Sequence, residues 1–260
     1  MPSVCERGDW CAHGAGAPAR VLVPEVQRRL ANAWLQLARL EHASIGSFAR
    51  FTLQLLALGA PPDLVLSAQR AAIDETRHAQ LAFGLASEYA GRTLGPGPLS
   101  VDACLETTDL LEIIATVFDE GCIGETMAAV EARQALEHAR EPAVRAVLET
   151  VAADEMRHAE LAWRTVAWAI AAGGEAVRNR IEALVTREMI PSPVDGSPEC
   201  AEDSQLLEHG IVTESLRRSR RESTLATVIV PCARQLLRIA FSGQLPARVD
   251  PEMPNQTIQV

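Results

Sequence analysis

The pattern Asp-Glu-x-Arg-His stands twice in this chain, at positions 74–78 and 154–158. Glu75 and Glu155 are 80 residues apart, and the register holds at eight of eleven positions when 72–82 is laid on 152–162. Pro62 and Pro142 keep the same spacing, so the repeat covers a whole hairpin and not only the motif. Ala and Leu dominate a composition with 4% aromatics, which favours helices over strands. On a helix, a Glu and a His three positions apart project to one side. Two copies of a helical hairpin, each with one apolar face, bury those faces against each other, which predicts a four-helix bundle.

Breaker residues set the boundaries. Residues 1–23, rich in Gly, Ala and Pro, read as an irregular N-terminal tail. Pro24 suits the first turn of a helix whose apolar stripe is Leu30, Trp34, Leu37, Ile45, Phe48 and Leu55. Gly59–Pro62 ends it, and a second helix runs from Asp63 to about Ala90. A third starts at Ser100 or Asp102 and ends near Ala139; the fourth follows Pro142 and stops at Gly173-Gly174. The bundle thus spans 24–172. A helical extension of about three helices fills 173–242, with a loop at Pro191–Glu199, and 243–260 reads as a frayed tail. The expected class is all-α.

A formal charge of −10 argues against a nucleic-acid partner, because phosphate contacts need a basic surface. The basic cluster Arg217, Arg218, Arg220 and Arg221 reads as a solvated helix end. The N-terminal residues hold no apolar run of signal-peptide length, and no stretch approaches a membrane span. The expectation is a cytoplasmic protein without a membrane partner. Six scattered cysteines without a Cys-x-x-Cys pair are expected as free thiols. Cys5, Cys11 and His13 are close enough for a clip, although a loose tail explains them as simply.

The chemistry rests on carboxylates and imidazoles. Glu41 stands within the apolar stripe of the first helix, where an unpaired carboxylate is costly to bury. It lies across the first hairpin from Glu75, at a similar level. The matching helix-three position is Gly121, which has no ligand atom; Glu125, one turn on, shares its face, whereas Glu120 is the alternative and Glu131 has poorer register. Glu41, Glu75, His78, Glu125, Glu155 and His158 then form the ligand set of a carboxylate-bridged two-metal centre. Carboxylates are hard ligands and imidazole suits iron, so two Fe ions are expected, with Mn second. The four carboxylates carry roughly −4, which two divalent cations bring near neutrality. Asp74 is expected to hold His158 and Asp154 to hold His78, fixing each ring. Arg77 and Arg157 are placed to pair with these aspartates. Gly121, Cys122 and Gly124 make helix three narrow, either to shape a pocket or to permit close packing. Trp34, Phe83, Trp163 and Trp168 read as core.

This arrangement, Glu41, Glu75-x-x-His78, Glu125, Glu155-x-x-His158, resembles the ferritin-like superfamily of di-iron carboxylate proteins over about residues 25–172. Its Asp-Glu-x-Arg-His form is similar to that of bacterial multicomponent monooxygenases. The resemblance implies a centre that reduces O2 and oxidises a substrate, with Glu41, Glu75, Glu125 and Glu155 taking part in catalysis. Rubrerythrin-type members carry a cysteine site absent here, and radical-forming members keep a Tyr where this chain has Ala82. The function expected is therefore a non-haem di-iron oxidase or oxygenase acting on a small molecule or peptide. No flavin or nicotinamide fingerprint is present, so electrons come from an external donor. The alternative is a ferroxidase or iron-handling protein, and a scaffold with a residual site is a third reading. The C-terminal helices either cap the bundle or form a homodimer face.

Overall fold

The structure, a computed structural model, describes residues 3–12, 22–102, 105, 107–188 and 201–241. The expected loop at 191–199 and tail at 243–260, and His13 with its suggested clip, lie outside the described residues. Helix dominates, as the composition predicts. The described strands are two residues each, β1 (Val4–Cys5) pairing antiparallel with β2 (Gly95–Pro96). Residues expected only as tail thus dock on the bundle, and the Ala12 N–H also donates to the Gln80 carbonyl.

Helix α1 (Pro24–Ala57) begins with proline in its first turn, where the missing N–H costs nothing. Helix α2 (Pro62–Ala90) starts the same way and ends at Gly91, whose φ of 66° is the left-handed cap that glycine adopts without strain. The third rod starts later than the sequence suggested. Helix α3 (Leu110–Thr116) is capped by Asp109, whose carboxylate accepts from the N–H groups of Leu111 and Glu112 at 2.9 and 3.0 Å. The rod continues through a π-helical stretch, Val117–Glu125, into α4 (Thr126–His138). Helix α5 (Pro142–Glu188) is turned at Gly174, with φ 62° and ψ −134°, where the Gly-Gly pair predicted a stop.

The extension divides more finely than the three helices expected over 173–242. Helix α6 (Ala201–Glu208) ends before Gly210 at φ 80°, and Thr213 then caps α7 (Glu214–Thr224). A second π-helical stretch, Leu225–Ile229, joins α7 to α8 (Val230–Phe241). The α6–α7 corner is tied to the bundle: Trp34 Nε1 donates to the His209 carbonyl, and Tyr89 Oη lies 2.7 Å from His209 Nδ1.

Helices α1 and α2 pack along each other, and α5 packs on α2, the π-helical stretch and α4. One apolar cluster, containing Trp34 and Phe83, fills one end; a second, around Phe118 and Ile181, joins the third rod to α5 and α8. A smaller cluster of Phe48, Leu55, Leu64 and Leu161 lies with them. Trp163 and Trp168 pack against this core. Among the described residues, no helix is long and apolar enough to cross a membrane.

Candidate metal centre

Four helical rods deliver the predicted side chains. Glu41 comes from α1, Glu75 and His78 from α2, Glu125 from the last position of the π-helical stretch, and Glu155 and His158 from α5. Glu75, His78, Glu155 and His158 are 1%, 0%, 3% and 2% exposed. Such burial of ionisable groups is unusual unless something pairs with them.

Their donor atoms fall into two quartets. Glu41, Glu75, His78 and Glu155 each offer one ligand atom within 4.8 Å of the others, and so do Glu75, Glu125, Glu155 and His158. Glu75 and Glu155 belong to both quartets. Each quartet adds one imidazole and one further glutamate. The two-fold character of the sequence repeat is therefore present in the side chains.

The imidazoles are oriented from behind. His78 Nε2 lies 3.0 Å from Asp154, and His158 Nε2 lies 3.4 Å from Asp74, the crossed pairing expected from sequence. An ionised carboxylate only accepts, so each Nε2 donates and each Nδ1 is turned into the cluster. His78 Nδ1 approaches Glu41, Glu75 and Glu155 at 3.6, 3.7 and 3.4 Å. His158 Nδ1 approaches Glu75, Glu125 and Glu155 at 3.1, 3.8 and 3.4 Å. Even the 3.1 Å contact lacks hydrogen-bond geometry. Both Nδ1 atoms, with Glu75 Oε2 and Glu155 Oε2, are buried without a hydrogen-bond partner. Each such orphan costs about 1–3 kcal/mol. Four of them on the two quartets fit a cation-binding role, because a metal ion takes lone pairs that no protein donor reaches.

The electrostatics agree. Burial pushes Glu75 up to about 8, aided by the charges of Glu41 and Glu155 and opposed by His158. Glu125 is driven well above the carboxylate range by burial and by its contact with Glu155. Burial would lower both imidazoles, but the facing carboxylates outweigh it, holding His78 up to about 11 and His158 up to about 9. Glu155 goes the other way: burial would raise it, yet both histidines hold it below the usual carboxylate range. A cation entering the cluster would compete with protons for these groups.

The remaining predicted residues sort clearly. Arg157 bridges the two aspartates, 3.0 Å from Asp74 and 2.6 Å from Asp154. Arg77, its repeat counterpart, is exposed and pairs with neither aspartate. Glu120 points outward to Arg50 at 2.5 Å, and Glu131 pairs with Arg217 at 2.9 Å, so the third rod contributes Glu125. His42 turns its ring edge to Trp10 rather than to the cluster. Gly121 serves close packing: a Cβ there would lie 2.6 Å from Ala162 Cβ on α5. Cys122 is fully buried in the apolar cluster.

Sequence reasoning missed the π-helical stretch that ends at Glu125; its wide turns, frequent at functional sites, have no sequence signature here. It also missed a cavity of about 50 Å³ that has Glu125 and His158 in its wall, with Phe48, Phe51, Val117 and Leu161 as apolar lining. Comparison with family models, with curated proteins and with solved structures gives no match to this chain. What the protein holds is thus read from its own geometry: a buried Glu/His group that can bind metal.

Proposed function

We propose that this chain is a ferritin-like di-iron protein that uses O2 to oxidise a small organic substrate, with electrons from an external donor. The observation that carries this reading is the pair of quartets sharing Glu75 and Glu155, with four buried orphan atoms between them. Two iron ions bound there would supply O2 reduction, with manganese as the second choice. Glu75 and Glu155 would bridge the two positions. Glu41 with His78, and Glu125 with His158, would each complete one end. Asp154 and Asp74 keep Nε2 of each ring protonated, so that Nδ1 offers its lone pair inward. Arg157 pairs with both aspartates, and against burial His78 and Arg157 hold Asp154 below its ordinary carboxylate value. Phe48 lies edge-on to His158, at 5.0 Å between ring centres, and gives that half of the cluster an apolar neighbour.

The two halves differ in access. A cavity wall is formed by Glu125 and His158, not by Glu41 and His78, which favours a substrate meeting one end of the centre. Its small size favours a small molecule over a peptide.

The test is anaerobic Fe(II) loading followed by stopped-flow mixing with O2. A transient visible absorption from protein carrying about two irons, without further uptake, supports the reading. Sustained oxidation of added Fe(II) with iron accumulating in a large assembly would assign an iron-handling role instead. Absence of any O2-dependent change in iron-loaded protein would refute both.

A further inference from the structure

The cavity that α1, the third rod and α5 form beside Glu125 and His158 also has a cationic side chain in its wall, Arg50 of α1. Arg50 Nη2 contacts Glu120 at 2.5 Å. Its Nε is buried and has no hydrogen-bond partner among the described residues. Nε–H and Nη2–H lie along one edge of the planar guanidinium, an edge that grips a carboxylate through two parallel hydrogen bonds. Glu120 uses half of that edge and leaves the buried Nε–H unpaired. Glu120 is itself 55% exposed, so water replaces its single contact at little cost. A buried donor has no such recourse, and leaving it unmet is the larger loss.

We propose that this cavity binds a short carboxylate with an apolar body, its carboxylate on the Nε–Nη2 edge of Arg50 and its body directed at Glu125 and His158. Phe48, Phe51, Val117 and Leu161 accept the hydrocarbon. The cavity opens to solvent and the Arg50 side chain is 26% exposed, so the ligand's charge keeps part of its hydration. The inner space of about 50 Å³ is well below the roughly 150 Å³ that holds benzene in an engineered cavity, which limits the inserted body to a few carbons. An alcohol offers that edge one oxygen where a carboxylate offers two, and an alkylammonium only donates, as Arg50 does. A charged Glu125 in the same wall would oppose an anion, and cations held by the two quartets would offset it.

Such a carboxylate would be the substrate class of the oxidation proposed above, and in that role it rests on that reading, but its binding is measurable without turnover. Titrate butyrate, 1-butanol and butylammonium into metal-free and zinc-loaded protein, following the methyl resonances of Val117 and Leu161. Butyrate is expected to bind with a dissociation constant on the order of millimolar, the range open to so few atoms. It is expected to bind about 10-fold more tightly than 1-butanol. Arg50→Gln is expected to weaken butyrate about 10–100-fold, the worth of charge-assisted hydrogen bonds, and to leave the alcohol within about 2-fold. Glu120→Gln, which removes the competing carboxylate, is expected to tighten butyrate about 2–5-fold. The alcohol or the ammonium binding as tightly as butyrate, or butyrate affinity unchanged in folded Arg50→Gln, would overturn the proposal. So would weaker butyrate binding in Glu120→Gln, or unperturbed methyl signals with every probe. Butyrate binding that needs zinc and ignores Arg50→Gln would mark it as a metal ligand, which also overturns the proposal. Should Arg50→Gln fail to fold, Glu120→Gln and the comparison with the alcohol decide. Failure of zinc to load would instead count against the metal centre, while the metal-free titration still decides the cavity.

Discussion

Asp74 and Asp154 are equivalent in the repeat but not in their hydrogen bonds, and Asp→Asn substitution exploits the difference. Asp154 uses both oxygens: Oδ2 accepts from His78 Nε2 at 3.0 Å and Oδ1 from Arg157 at 2.6 Å. An asparagine there has one carbonyl oxygen for two donors, so its NH2 must face either the imidazole N–H or the guanidinium. The relief open to it is a tautomer switch that puts the proton on His78 Nδ1, the atom needed inside the cluster. Asp74 accepts from His158 Nε2 at 3.4 Å and from Arg157 at 3.0 Å through the same oxygen, Oδ2. An asparagine carbonyl at 74 keeps both contacts and loses only charge. Asp154→Asn is therefore expected near the upper end of the roughly 10–100-fold loss of metal affinity seen when ligand-orienting groups are changed, about 2–3 kcal/mol. Asp74→Asn is expected at or below the lower end. Competition titration against a chromophoric chelator, with circular dichroism to confirm folding, reads both. Equal losses, or a larger loss in Asp74→Asn, would refute the oxygen-by-oxygen reasoning.

Other expectations follow from the same geometry. The metal-free protein should lose stability as pH rises from about 6 to about 9, because the folded chain keeps protons that the unfolded chain has released. Glu75 is held up to about 8 and His158 up to about 9, both above their ordinary values, and each such group costs about 1.4 kcal/mol per pH unit within its window. A thermal midpoint that rises with pH over that range would contradict it, and metal affinity should increase with pH as those protons are displaced. Glu125→Gln is expected to lower metal content sharply while Glu120→Gln leaves it unchanged; the reverse would move the third-rod ligand one turn of argument back to Glu120. Arg77→Gln should leave metal affinity within error and Arg157→Gln should weaken it, since only Arg157 touches the aspartates. Gly121→Val should destabilise by about 1–3 kcal/mol in denaturant unfolding, because its Cβ meets Ala162 Cβ at 2.6 Å. A neutral result would mean that the third rod is free to move off α5.

The residues that meet in the candidate site were legible because the same Glu-x-x-His spacing is written in both hairpins. Glu75, His78, Glu155 and His158 need helical spacing of three, and the two copies had to face each other to share carboxylates. Glu41 was legible as a charge inside an apolar stripe, and the crossed Asp–His pairs followed from the repeat. Arg77 misled because the repeat promises symmetry that an exposed side chain has no reason to keep. The start of the third rod was misjudged because Ser100 and Asp102 resemble caps, whereas Asp109 makes the cap in space. Nothing in residues 3–12 announces that Val4–Cys5 will pair with Gly95–Pro96; such pairing is a long-range contact without local periodicity. The basic run at 217–221 was read as solvated, yet Arg217 and Arg221 reach Glu131 and Glu188 on other helices.

Six donors form two positions that share Glu75 and Glu155. Native mass spectrometry after anaerobic titration with Fe(II) counts those positions directly, on wild type and on Glu155→Gln. The expected result is about two metal ions per chain in the wild type, and loss of both in the variant, because Glu155 serves each quartet. Saturation at a single ion, or a Glu155→Gln protein that still binds about two, would contradict the shared-carboxylate centre.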